Sequence, residues 1–355
     1  MSERVVQDGE VIARALGAVR RLTLNRPKAL NALTRDMAAA ISGWLRAWAD
    51  DEAVGVVLID GAGERGFCAG GDIRALYDAA KSGDSLPRDF WAIEYRLDSL
   101  IARYAKPVIV LMDGIVMGGG VGLSVHAAHR VVTERSAIAM PEVGIGYFPD
   151  VGASYVLARA AGEVGTHLAL TGERIGAADA IYCGLADLHI PAEALADLPA
   201  RLAACRTDRE VRACLERMSR PPVPGRLPGA RQWIDPAYEG NAVESIVERL
   251  RADGSQPARS AAAVLERASP TSLKIALRNI RAALSFTEVE QSLRQDYRIS
   301  LRCIAAHDFL EGIRAAIVDK DRKPVWRPDK LEDITPEMID PYFGSLGALE
   351  LRFDA

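Results

Sequence analysis

The sequence predicts an α/β fold with a mostly helical C-terminal region. Three observations carry it: a strand–helix–strand alternation that starts near residue 19 and recurs, glycines gathered where the strands end, and helical spacing of apolar residues through the last third. Val19 to Leu24 reads as a short strand that stops at Asn25-Arg26-Pro27, because Pro27 biases its predecessor away from helical backbone. Over residues 33–48, Leu33, Met37, Ile41, Trp44, Leu45 and Trp48 recur at helical spacing and define an amphipathic helix. Residues 54–59 are a short apolar run rich in β-branched side chains, the pattern of a strand covered on both faces.

The same pattern returns at residues 107–112, and residues 121–128 can follow as a helix. Residues 130–133 and 137–140 read as further short strands, the second delivering the chain to Pro141 and Glu142. Past about residue 185 the character changes, with helices expected over 194–204 and 210–218. The run Arg220-Pro221-Pro222-Val223-Pro224-Gly225-Arg226-Leu227-Pro228-Gly229 reads as a connector, since prolines remove amide donors and clash inside helices. Helices are expected over 237–250 and 261–267, and Val289, Leu293, Tyr297, Leu301 and Ile304 form one stripe of a long helix. The organisation expected is a core over residues 1–219 holding the site, a connector and helix over 220–260, and a helical region over 261–355 packed on or near the core.

Composition narrows the function classes. Of 355 residues, 49% are hydrophobic and 26% charged, ordinary for a folded chain, and a net charge of -4 offers no global attraction for nucleic acid or an anionic membrane. Five scattered cysteines without a CxxC pair fit a reducing compartment, not a disulfide framework or a structural zinc site. The first residues include acids and no continuous apolar run, so neither a signal peptide nor a transmembrane segment is expected. The expectation is a soluble protein of the cytoplasm or another reducing compartment. His126 and His129 lack the H-E-x-x-H arrangement and no metal is expected; Ser124 and Ser154 lack the G-x-S-x-G elbow.

The chemistry concentrates in Pro141-Glu142-Val143-Gly144-Ile145-Gly146-Tyr147-Phe148-Pro149-Asp150 and in two glycine turns, Ala69-Gly70-Gly71-Asp72 and Gly118-Gly119-Gly120-Val121-Gly122. Converging backbone amides hold a developing oxyanion, and carboxylates handle water and protons. Gly71 and Gly119 are the candidate amide donors, Glu142 and Asp150 the candidate acids. Taken alone, each glycine run also fits a tight turn, and the two acids also fit a turn cap and a helix start.

Phe67-Cys68-Ala69-Gly70-Gly71-Asp72-Ile73, Asp113-Gly114 with Gly118-Gly119-Gly120, and Met140-Pro141-Glu142 with Gly144-Ile145-Gly146 resemble the three blocks of the crotonase, or enoyl-CoA hydratase/isomerase, superfamily. The resemblance implies a spiral of ββα units that binds acyl-CoA, with the amides of Gly71 and Gly119 gripping the thioester oxygen. A typical hydratase carries a further glutamate where this chain has Gly122, and glycine cannot shuttle a proton. Asp150 within Tyr147-Phe148-Pro149-Asp150-Val151-Gly152 resembles instead the branch that hydrolyses 3-hydroxyisobutyryl-CoA. So does the tail, with Ser269-Pro270-Thr271-Ser272-Leu273-Lys274, Asp308-Phe309-Leu310-Glu311-Gly312-Ile313-Arg314-Ala315, Val318-Asp319-Lys320-Asp321, Pro324 and Trp326.

That branch implies thioester hydrolysis of 3-hydroxyisobutyryl-CoA, with 3-hydroxypropionyl-CoA as a further substrate and a place in valine breakdown. Enoyl-CoA hydratase/isomerase activity is one alternative and a noncatalytic acyl-CoA-binding protein another. No cofactor is implied, CoA being part of substrate and product. Arg26, Lys28, Arg74 and Lys274 are candidate CoA contacts, and assembly into a homo-oligomer is left open.

Overall fold

The computed structural model describes residues 4–353. In chain order the strands are β1 (Arg4–Asp8), β2 (Val11–Leu16), β3 (Val19–Leu24), β4 (Val56–Gly61), β5 (Gly66–Cys68), β6 (Val108–Met112), β7 (Ile115–Met117), β8 (His129–Val132), β9 (Ala137–Ala139) and β10 (Leu188–His189). The chain falls into two compact units: residues up to 71 with 93–138 and 175–225, and residues 72–92 and 139–174 with everything from 226 onward. No helix among the described residues is long and apolar enough to cross a membrane.

The first unit holds a seven-stranded sheet of order β1-β2-β3-β4-β6-β8-β10. Its centre is parallel: Val19 pairs with Val56, Val57 with Val108 and Ile109 with His129. Val56 to Ile59 are fully buried, which is why this strand reads as an unbroken apolar run instead of an alternating one. Val56, Leu58, Ile109, Leu111 and Val131 pack with Leu198, Leu202, Val211 and Leu215 from the helices Leu198–Leu202 and Asp208–Met218. Each such side chain contributes about 1.5–3 kcal/mol by leaving water.

Three times the chain forms a strand of this sheet and then a short strand of a second sheet: β4 with β5, β6 with β7, β8 with β9. The short strands form the sheet β5-β7-β9. After them come the helix Ile73–Ser82, the helix Gly119–Val125 and the 3-10 turn Glu142–Ile145. This is the repeated ββα arrangement expected. The helix Arg35–Ala49 buries Met37, Ile41, Leu45 and Trp48, and Thr34 caps it by accepting the Met37 N–H at 3.1 Å.

Some elements differ from the sequence reading. The hairpin of β1 and β2 turns through Gly9-Glu10, with Gly9 at φ +56°, but Val5 and Val6 are both exposed and the alternation that would announce a strand is lost. The helix Leu86–Ala102 buries Glu94 and Asp98 among its apolar residues, which interrupts the stripe. The helix Leu227–Tyr238 begins inside the proline-rich run, because Pro228 lies in its first turn, where the missing N–H has no partner to lose. The next helix is Val243–Asp253, and Gly240 at φ +89° separates the two.

The second unit is mainly helical. Its helices include Val164–Thr171, Gln256–Leu265, Pro270–Ala283, Val289–Cys303 and His307–Ile313. Ser269 caps Pro270–Ala283 through the Ser272 N–H at 3.1 Å, and a Glu288/Gln291 capping box opens Val289–Cys303. That last helix has two buried stripes. One is apolar, with Val289, Leu293 and Tyr297, while the other is polar, with Ser292, Asp296 and Ser300 all fully buried.

Asn31 fixes the end of β4 to the start of β5 in the first unit. Fully buried at φ +55°, it donates from Nδ2 to Ala62 O at 3.0 Å and Gly66 O at 3.1 Å and accepts the Arg26 N–H at 2.9 Å. Asn31→Ala is expected to lower stability by about 3 kcal/mol, from lost bonds and orphaned partners. A urea titration reads it as a lower midpoint at unchanged slope.

Candidate active site

In the first unit β5 leads into Gly70, at φ +108°, whose carbonyl accepts the Leu33 N–H at 2.8 Å. β7 leads into Gly118 and the helix starting at Gly119. A Cβ on Gly119 would lie 3.4 Å from the Gly71 nitrogen and against the Glu94 carboxylate, so only glycine leaves the approach to these amides open. The structure thus brings the two candidate donors side by side.

Cys68, next to this turn, is fully buried with Sγ 3.6 Å from Gly70 O. Burial, with the nearby Glu94 charge adding to it, pushes its thiol up to about 12, and it stays protonated as a packing residue. Glu94 itself was missed by the sequence reading. It is buried in the helix Leu86–Ala102, outside any motif, and only the fold puts it beside Gly119.

In the second unit the 3-10 turn Glu142–Ile145 carries Glu142, which is 7% exposed, and the Tyr147 N–H donates to its backbone carbonyl at 3.0 Å. Its Oε2 has no hydrogen-bond partner among the described residues. Burial, and secondarily the Asp150 charge, hold its carboxyl well above the ordinary value of 4.5. A carboxyl raised in this way keeps its proton to higher pH than an exposed glutamate does. Asp150 is 5% exposed, and the Tyr147 hydroxyl lies 3.3 Å from its Oδ2. Gly152, not Asp150, is the N-cap residue of Ala153–Leu157, and no side chain caps the turn at Glu142.

The backbone beside Asp150 is strained: Val151 at φ +54° is a β-branched residue in the left-handed region, followed by Gly152 at +71°. Trp91, Tyr147 and Phe309 stack in this unit, with centroids 5.9 Å apart for the first pair and 4.4 Å for the second. Asp296, Asn279 and Ser300 join the same region through hydrogen bonds. None was singled out from sequence, although Ser292, Asp296 and Ser300 at spacings of four are a signal once a polar buried stripe is sought.

The candidate cations are mostly engaged. Arg26 pairs with Glu10 at 2.9 Å and donates to Ala32 O at 2.6 Å; Arg74 pairs with Asp78 at 2.9 Å. Lys274 pairs with Glu244 at 2.6 Å and donates to Ile334 O at 2.7 Å, a tether within the second unit. Lys28 is exposed in the turn Pro27–Ala29.

A cavity of about 820 Å³ in the second unit is lined by Pro141, Val143 and Gly144 beside Glu142, and by Arg267, Arg322, Lys323 and Trp326. The tail motif forms part of its wall. Arg314 organises it, binding Glu311 at 2.8 Å, Asp319 at 2.6 Å and Asp321 at 2.7 Å, and Lys320 and Arg322 take positive φ there. Among the described residues no three His, Cys, Asp or Glu side chains group to hold a metal ion.

Two sheets built from repeated strand pairs, paired glycine amides and buried acids are features of one class, and the family model described as enoyl-CoA hydratase/isomerase matches residues 19–343. The chain belongs to that family. Within it, the chain is similar over its length to proteins named mitochondrial 3-hydroxyisobutyryl-CoA hydrolase. It is 42% identical to the one from Xenopus laevis over 359 residues, covering 99% of this chain and 93% of that one, and 40% identical to the human one over 360 residues with the same coverage. Among solved structures, a carnitinyl-CoA dehydratase from Mycobacterium thermoresistibile is 43% identical with TM-score 0.92, covering 97% of this chain and 99% of that one. An enoyl-CoA hydratase from Rhodobacter sphaeroides is 41% identical with TM-score 0.90, covering 97% and 100%.

These relatives correct the expected cytoplasmic placement, since the hydrolases are mitochondrial by name. Reduced, scattered thiols suit a mitochondrial interior as well as the cytoplasm, so thiol chemistry did not separate the two.

The raised carboxyl of Glu142 has a consequence for stability. Its proton is held more tightly folded than unfolded, so the penalty for burying it is absent below about pH 4.5 and grows as pH rises through the folded value. Glu142→Gln is therefore expected to be more stable than the parent at pH 7. The difference should shrink as pH falls toward 4.5, the ordinary glutamate value, in urea titrations across that range.

Proposed function

We propose that this chain hydrolyses the thioester of 3-hydroxyisobutyryl-CoA, and of 3-hydroxypropionyl-CoA, to the free hydroxy acid and CoA. The carrying observation is the arrangement of acids: Gly122 stands buried in its helix where a hydratase would present a glutamate, while Glu142 and Asp150 are buried and electrostatically coupled. Whole-length similarity to the named hydrolases supports it.

In this reading the amides of Gly71 and Gly119 hold the thioester oxygen as it becomes an oxyanion. Glu142 takes a proton from the attacking water, or attacks the carbonyl itself to form a mixed anhydride that water then opens. The tetrahedral intermediate collapses by expelling the CoA thiolate, which takes up a proton, and Asp150 orients the substrate hydroxyl. Hydrolysis in ¹⁸O-labelled water tests the second route, because label in the Glu142 carboxyl requires that water open an anhydride at the glutamyl carbon. The cations at the cavity rim, Arg267, Arg322 and Lys323, are assigned to the CoA phosphates, with Trp326 offering an aromatic surface.

The two solved neighbours named dehydratase and hydratase favour addition of water to an enoyl-CoA as the second reading. Purified protein given 3-hydroxyisobutyryl-CoA and crotonyl-CoA decides. Thiol release from the hydroxyacyl ester alone is expected; loss of the enoyl chromophore without thiol release would establish the hydratase reading.

Glu142→Gln should lower kcat by about 10²–10⁴-fold with ligand affinity largely kept. Gly119→Ala should cost about 10²-fold in kcat/KM. Replacing Arg322 and Lys323 together by Ala should raise KM about tenfold at nearly unchanged kcat, as loss of uniform binding does.

A further inference from the structure

Asp296 lies in the second unit, fully buried at the middle of the helix Val289–Cys303, and its Oδ2 accepts the Gly152 N–H at 2.9 Å. Asn279 donates to its Oδ1 at 3.0 Å and to Ser154 Oγ at 2.9 Å, and is held in turn by Gln295 Nε2 at 2.6 Å. One turn further along the helix, Ser300 Oγ donates to Asp296 O at 2.7 Å and lies 2.5 Å from the Tyr147 hydroxyl, the group beside Asp150. A single helix face therefore reaches Asp150 from two sides, through the backbone at Gly152 and through Tyr147.

We propose that Asp296 is a positioning residue for Asp150, holding the strained Val151-Gly152 backbone so that the Asp150 carboxyl keeps its place toward substrate. This rests on the reading that Asp150 serves thioester hydrolysis. Two consecutive left-handed residues, one of them valine, persist only where surrounding contacts impose them, and the Gly152 amide bond is such a contact. Burial first, and the Asp150 charge second, hold the Asp296 carboxyl well above its ordinary range.

The test uses the full chain with Asp296→Ala, Asp296→Asn and Asn279→Ala, measuring kcat and KM for thiol release from 3-hydroxyisobutyryl-CoA and amide hydrogen exchange across residues 149–153. Asp296→Ala should lose about 10²-fold in kcat with KM within about threefold, the cost of a misplaced catalytic group. Gly152 should lose exchange protection in the same variant. Asp296→Asn, which keeps an acceptor, should restore protection and bring kcat back to within about tenfold of the parent. Asn279→Ala should show a smaller split of the same sign, and it decides the matter if Asp296→Ala fails to fold.

Parent-like kcat in Asp296→Ala, or KM rising in step with the fall in kcat, overturns the proposal; for Asn279→Ala the same two outcomes do so. A parent protein that releases no thiol instead sinks the hydrolase reading. The exchange data then judge the anchor by themselves, and unchanged protection at Gly152 in Asp296→Ala overturns it.

Discussion

Removing a carboxyl group from water penalises its charged form, and the second unit does this at Glu142, Asp150 and Asp296 together. Nearly everything nearby answers to that constraint. Burial first, and the nearby Asp150 charge second, hold the carboxyls of Glu142 and Asp296 above their ordinary range. The stack of Trp91, Tyr147 and Phe309 adds apolar surface, which deepens the desolvation and strengthens every remaining interaction. Stability is given up locally, while the packed helices around the acids supply it elsewhere.

The first unit is governed by a different restriction, the distance of closest approach between backbones. A Cβ at Gly120 would run into the Cys68 carbonyl, and one at Gly119 would crowd the Gly71 nitrogen and Glu94. The short strands β5 and β7 pair in parallel and end at these glycines, so the sheet sets where the amides point. Oxyanion stabilisation of this kind needs no side chain at all, only backbone that is already ordered.

Much of the fold could be read locally. β3 has the bounds expected, and β4 and β6 lie within two residues of theirs, because a strand buried on both faces declares itself as an unbroken β-branched run. The helix Leu86–Ala102 escaped because Glu94 and Asp98 sit on its buried face, which violates the rule by which helices are read. The candidate site was legible only where its residues lie in local motifs. Glycine turns and Glu142 lie in short motifs, whereas Asp296 is 144 residues from the Gly152 amide it binds, and no local pattern encodes a partner so far along the chain.

The units are interleaved in the chain, each built from three separated stretches. As a ribosome makes this protein, residues 139–174 emerge long before the stretch from 226 onward that completes their unit, and Asp296 comes nearly last of all. The nascent chain must therefore carry its acids, its Val151 backbone and much apolar surface for many seconds without the helices that order them. Chaperone dependence should concentrate in that interval, and a message cut short after residue 225 would leave residues 72–92 and 139–174 without the stretch that completes their unit.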